Sequence, residues 1–188
     1  MLVTFRIKDT VTMLHSKPAE ISFRELASLM QKLHINKADL DVDPDQLEAA
    51  PLNFEVNANV LSMAEFTTCF GHRVEIIAIV EEAQFLGRTL RIEHPNMRAP
   101  ITMKVSEHIA LGREMIMGPE LAAKALYCLG RDSDEPGELK LDDLQGLPQD
   151  HRIHEAFVRA NITPVYDSFS KLALTDCGDQ RPMLEWSS

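Results

Sequence analysis

The chain predicts an α+β domain, a small mixed sheet with about three main helices, and three observations carry that prediction. Residues Leu2 to Leu14 interleave apolar and polar side chains as strands do. Ser22-Phe23-Arg24-Glu25 has the form of a capping box, with Ile21 and Leu26 placed as a hydrophobic staple around it. Glu114-Met115-Ile116-Met117-Gly118-Pro119-Glu120 passes from a short apolar run through Gly-Pro into a strongly helical segment. That succession reads as strand, tight turn and exposed helix N-terminus.

After the first strand or pair of strands, Leu26, Leu29, Met30 and Leu33 fall on one helical face. The acidic stretch from Asn36 to Asn53, with Pro44 and Pro51, reads as a loop carrying a short helix near Gln46 to Ala49. Its run Asp39-Leu40-Asp41-Val42-Asp43-Pro44-Asp45 has the look of a calcium loop, but it lacks the turn glycine and the distal bidentate glutamate. Phe54 to Val60 alternates as a strand. The run Val74 to Val80 combines high β propensity with a length that also suits a helix. With Leu86-Gly87-Arg88 as a turn and Thr89 to His94 alternating after it, a hairpin is the favoured reading.

Pro95 to Pro100 reads as a loop and Ile101 to Val105 as a strand. In the helix begun at Pro119, Leu121, Ala122, Ala125, Leu126 and Leu129 line one face, and Glu120, Lys124, Tyr127 and Arg131 the other. Gly130 supplies its stop. An acidic loop from Asp132 to Gly137 precedes a short strand at Glu138 to Leu141. The last clear helix spans about Gln149 to Ala160, buried through Ile153, Ala156, Phe157 and Ala160. Beyond Pro164, Val165 to Leu174 adds a strand or a short helix. The tail after Cys177 reads as peripheral, with Trp186 able to dock.

A length of 188 residues suits one compact domain over 1–188, with two small lobes as the alternative, the first over about residues 1–60. A hydrophobic content of 45% is enough for a real core. The net charge of −10, from 19 basic and 29 acidic residues, works against a broad nucleic-acid surface. Cys69, Cys128 and Cys177 form no Cys-x-x-Cys pair and suit a reducing compartment. The start lacks the apolar core of a signal peptide, and Ile76 to Val80 is too short to span a bilayer. No transmembrane segment and a cytoplasmic location are expected.

Three places offer chemistry. Amides at the Gly118 turn would bind an anion, with Arg113 and Lys124 adding positive charge and Glu120 positioning a water or a metal. The same Gly-Pro is also a plain way to turn from strand into helix. Cys69-Phe70-Gly71-His72-Arg73 gathers a thiol, an imidazole and a guanidinium within five residues. Its alternative is a hairpin turn beside a core cysteine. His151, His154 and Glu155 share one helix face at metal-ligand spacing, although a solvated face has the same pattern. No structural metal site is expected.

The order of elements from Arg113 through Gly130 to the strand at Glu138 resembles the ParB/sulfiredoxin superfamily, with Ser22 to Leu33 as the preceding helix. In that family the turn grips nucleotide or nucleic-acid phosphate. Its arginine after the glycine is replaced here by Glu120 and Leu121. Gly71-His72-Arg73 resembles the sulfiredoxin Gly-Cys-His-Arg signature, with Cys69 displaced beyond Phe70. In size and character the whole chain is also similar to plasmid fertility-inhibition factors of this fold. That resemblance implies an inhibitor of conjugative or type IV secretion DNA transfer, peripheral at the inner membrane, acting as an ATPase and DNase. It implies ATP and Mg as cofactors and DNA, nucleotide and a secretion component as partners. Glu120 and Arg113 would be catalytic, with Gly118, Lys124, Gly71, His72 and Arg73 holding phosphate. The alternative is a non-enzymatic adaptor that binds a secretion component and blocks transfer by occupancy.

Overall fold

The computed structural model describes residues 2–34, 51–96, 98–110, 114–131, 136–146, 150–175 and 182–187. The acidic run at 39–45, the short helix expected at 46–49, Arg113 and Cys177 lie outside them. The chain is α+β, with eight strands and seven helices among the described residues, every strand pair resolved within them running antiparallel. It divides into two compact units, residues 13–110 and residues 1–12 with 111–188. Both strand and helix content exceed the small sheet and three helices expected.

The first unit contains β2 (Ala19–Ile21), α1 (Phe23–Lys32), β3 (Leu52–Asn57), α2 (Met63–Phe70), α3 (Val74–Phe85), β4 (Arg88–His94) and β5 (Ile101–Ile109). Its sheet has the order β3-β4-β5-β2. Strict alternation along β4 sends Leu90 and Ile92 to one face and Thr89, Arg91 and Glu93 to the other. The apolar face is covered by α1 through Leu26 and Leu29, α2 through Phe66 and Phe70, and α3 through Ile76, Ile79, Val80 and Ala83.

The α1 helix begins as its sequence signal requires: Ser22 Oγ accepts from Glu25 N and Glu25 Oε2 accepts from Ser22 N. A second capping box, Ser62 with Glu65, starts α2. The hairpin favoured over residues 73–94 is instead a helix followed by a strand. Ile76, Ile79, Val80 and Ala83 are buried at i, i+3, i+4 and i+7, so burial of one face overrides the β propensity of the Val/Ile run. The turn before it has helical hand reversed at two residues, Gly71 (φ 61) and His72 (φ 62), which ends α2 and lets α3 start two residues later.

The second unit contains β1 (Val3–Lys8), β6 (Met115–Met117), α4 (Pro119–Cys128), β7 (Gly137–Lys140), α5 (Leu141–Gln145), α6 (His151–Arg159), α7 (Thr163–Ala173) and β8 (Met183–Ser187). The strand order is β6-β1-β8-β7. Of the two options for 165–174, helix holds, because Tyr166, Phe169, Leu172 and Ala173 are buried at helical spacing. Phe5 of β1 meets Phe169 edge-on at 5.1 Å, and Phe157 of α6 lies 6.4 Å from Phe169. The tail read as peripheral is an interior strand: β8 lies between β1 and β7, with Leu184 and Trp186 buried.

Gly137 stands opposite Trp186 in the β7–β8 ladder. A Cβ at residue 137 would lie 2.2 Å from an atom of the indole, so the ring occupies the space a side chain would need. Gly118, by contrast, has nothing within 4 Å of such a Cβ. Gly137→Ala should therefore cost about 2 kcal/mol by overpacking, and Gly118→Ala less than about 1 kcal/mol. Urea unfolding followed by the fluorescence of the single tryptophan measures both.

Candidate functional site

The Gly118 turn has the strand–turn–helix form expected. Strand β6 is held on β1 by pairing of Met115 with Phe5 and Met117 with Val3, and Gly118, extended at φ −64 and ψ 154, caps α4. Pro119 has no N–H, and the Leu121 and Ala122 amides donate to Gly118 O at 3.1 and 3.0 Å. Among the described residues, the Glu120 N–H is then the free donor of the first turn. Glu120 and Lys124 are exposed, and among the described residues neither enters a salt bridge. Arg113 lies outside the described residues.

The second turn, at Gly71-His72-Arg73, joins two helices. Cys69 points into the core of the first unit while His72 is exposed, so thiol and imidazole are held apart. The Arg73 guanidinium is shared between two acids. Nε and Nη2 contact Glu75 Oε1 at 2.8 and 2.7 Å, and Nη1 reaches Glu25 Oε1 at 3.2 Å. The hydrogen bond to Glu75 and the pull of Glu25 raise the Arg73 pKa. Arg73 thereby pins the N-terminus of α3 to that of α1.

On α6, His151 Nε2 lies 3.2 Å from Glu155 Oε1 on an open surface, while the His154 ring packs against Tyr166 at 4.9 Å. His151 and Glu155 thus pair with each other, while His154 is spent on Tyr166. Among the described residues, no group of three or more His, Cys, Asp or Glu is placed to hold a metal ion. Three cations of the first unit's sheet, on β4 and β5, are also locally committed. Arg88 is buried; Arg91 pairs with Glu55 and Glu93, and Lys104 with Glu93 at 2.9 Å.

Among the described residues, one polar cluster that the sequence does not announce joins five side chains. On the polar face of the first unit's sheet, the Glu55 carboxylate of β3 accepts from four side chains. Thr89 Oγ1 donates at 2.7 Å, Arg91 Nε at 2.9 Å, Ser106 Oγ at 2.8 Å and His108 Nδ1 at 2.8 Å. Acid, imidazole and hydroxyl are the components of a hydrolytic triad, but their order differs. Carboxylate and serine both lie beside Nδ1, with Ser106 Oγ at 3.4 Å, whereas a triad places them on opposite ring nitrogens. The Ser106 hydroxyl hydrogen is given to Glu55, and its oxygen accepts from His108 N. A cleft of about 380 Å³ opens beside Glu55, between Lys32–His34 on one side and Val56, Asn57, Val60 and Leu61 on the other. Facing it, Glu55 is a wall already saturated with donors rather than a free base.

Comparison of the chain with protein-family models, with curated proteins and with solved structures finds no match. Among the described residues, no helix is long and apolar enough to cross a membrane.

Burial alone would raise the Glu55 carboxyl, but hydrogen bonds from His108, Thr89 and Ser106, with the charge on His108, bring it from 4.5 down to about 2. A folded-state pKa below the unfolded one means stability that is present above pH 4.5 and lost as pH falls toward 2. The shift corresponds to about 3 kcal/mol. Urea unfolding from pH 6 to pH 2 should show the wild type losing its advantage over Glu55→Gln across that window. A constant difference between the two proteins would mean that Glu55 does not carry the acid dependence.

Proposed function

We propose that the chain acts by occupancy: a non-enzymatic adaptor that binds a component of a type IV secretion channel, or the protein it exports, and so inhibits conjugative DNA transfer. The observation that carries this reading is the outer face of α3. Val74 is 78% and Phe85 89% exposed, with Ala78 open between them, on a helix whose inner face is already buried. A water-soluble helix normally turns a polar face outward, and an apolar one marks a contact surface. The acidic balance of −10 and the neutralised Arg91 and Lys104 suit a protein partner better than DNA. The transfer-inhibition setting, with a position peripheral at the inner membrane, rests on the resemblance to plasmid fertility-inhibition factors.

A second reading, nucleotide hydrolase and DNA nuclease, is favoured by the β6–Gly118–α4 geometry. ATP phosphate would sit at the Glu120 amide, Lys124 and Arg113 would take up its charge, and Glu120 would hold water or Mg. Gly71, His72 and Arg73 would serve a second phosphate.

Donor cells carrying a conjugative plasmid separate the two. Under occupancy, a Glu120→Ala/Lys124→Ala double variant should suppress transfer as strongly as the wild type, while Val74→Ser/Phe85→Ser should relieve suppression by on the order of tenfold. Loss of suppression in the Glu120/Lys124 variant with the α3 variant fully active would establish the enzyme instead.

A further inference from the structure

The exposed residues of α3 follow a specific spacing. Val74, Ala78, Glu81 and Phe85 are separated by steps of four, three and four residues, the repeat of a seam that accepts a second helix at a shallow angle. Ile77, half-buried, widens the apolar stripe on one side. The other polar side chains of α3 are committed to the first unit. Glu75 holds Arg73, Glu82 accepts from the His15 and Ser16 amides at 2.6 and 2.8 Å, and Gln84 donates to Ala58 O at 2.8 Å. Glu81 is exposed in mid-stripe, and among the described residues it has no ion-pair partner.

Charge selects the occupant. A second copy of this chain would set one Glu81 into a seam already holding another, between two bodies that each carry a net charge of −10. Like charges enclosed together disfavour such a pair. A partner helix with one cation among its apolar residues would neutralise Glu81 as the seam closes, leaving no unpaired charge beneath it.

We infer that the outer face of α3 docks a basic amphipathic helix of a partner protein, with a Lys or Arg meeting Glu81 between contacts to Val74, Ala78 and Phe85. This deepens the occupancy reading and rests on it for biological meaning, but its test is independent. Two synthetic helices of about three heptads, identical except for a central Lys or Glu in the apolar seam, serve as probes. Their binding to the full chain is measured by fluorescence anisotropy.

The Lys helix should bind on the order of tenfold more tightly than the Glu helix, and Glu81→Lys should reverse that preference. Phe85→Ser, or Val74→Ser as a second variant, should weaken the Lys helix by a similar factor with unchanged circular-dichroism spectra. Equal binding of both helices, or a preference that survives Glu81→Lys, would overturn the inference. So would self-association of the chain in sedimentation that Phe85→Ser abolishes, since the occupant would then be a second copy. If neither helix binds while the wild type suppresses transfer, this docking mode fails and occupancy stands. If the Lys helix binds as expected while the wild type leaves transfer untouched, the transfer function fails and the docking surface stands.

Discussion

The first unit depends on the register of β3, β4 and β5, and one carboxylate holds all three. Glu55 on β3 is bonded to Thr89 and Arg91 on β4 and to Ser106 and His108 on β5. A slip of one residue would move Arg91 to the core face and Leu90 or Ile92 to the polar one, stranding a charge and exposing apolar surface together. With register fixed, Leu90, Ile92, Met103 and Val105 present an even apolar floor. Helix α3 lies on that floor through Ile76, Ile79, Val80 and Ala83, and Arg73 fixes its N-terminus to α1 through Glu25. The direction in which Val74, Glu81 and Phe85 face therefore follows from polar bonding on the opposite side of the sheet.

Legibility in the sequence tracked the range of the forces involved. The α1 helix was readable because its capping box is completed within four residues and its apolar face repeats every turn. The α2 helix carries the same box at Ser62 and Glu65, but it is only eight residues long, so the signal lacked a long periodic run behind it. In α3 two local signals conflict. The Val/Ile content of 74–80 favours strand, and the burial of 76, 79, 80 and 83 favours helix. The period wins because the floor under it exists only in the folded unit. Tail residues 183–187 are too few to announce a strand alone; Trp186 becomes interior because Gly137 leaves room for its ring.

The chemistry was less legible still. Cys69, His72 and Arg73 lie within five residues, yet α2 turns the thiol inward, the left-handed turn after it leaves the imidazole outside, and Arg73 is drawn to acids on two helices. Glu55 and His108 are 53 residues apart and meet only through two ladders of strand pairing. The available signal was the polar alternation of Asn53, Glu55 and Asn57, of Thr89, Arg91 and Glu93, and of Lys104, Ser106 and His108. Alternation marks a shared face without saying which members touch. The ParB/sulfiredoxin expectation rested on element order around Gly118, and order alone leaves three-dimensional placement open.

The Gly118 helix end and the α3 face make opposite uses of a glutamate. At Gly118, the Glu120 carboxylate already stands where the helix dipole favours negative charge. An incoming phosphate would have to share that position with it, supported by the one first-turn amide left free among the described residues. The carboxylate that the α4 dipole favours thus opposes an anion at the helix tip. On α3, Glu81 sits midway along the helix, where the dipole gives it little, and interrupts an otherwise apolar stripe. There the carboxylate costs the isolated protein nothing while water solvates it, and becomes expensive only when the stripe is covered without a cation. An acidic residue in that place permits a basic helix and penalises neutral or acidic ones, so selectivity arises from the arrangement of the seam itself.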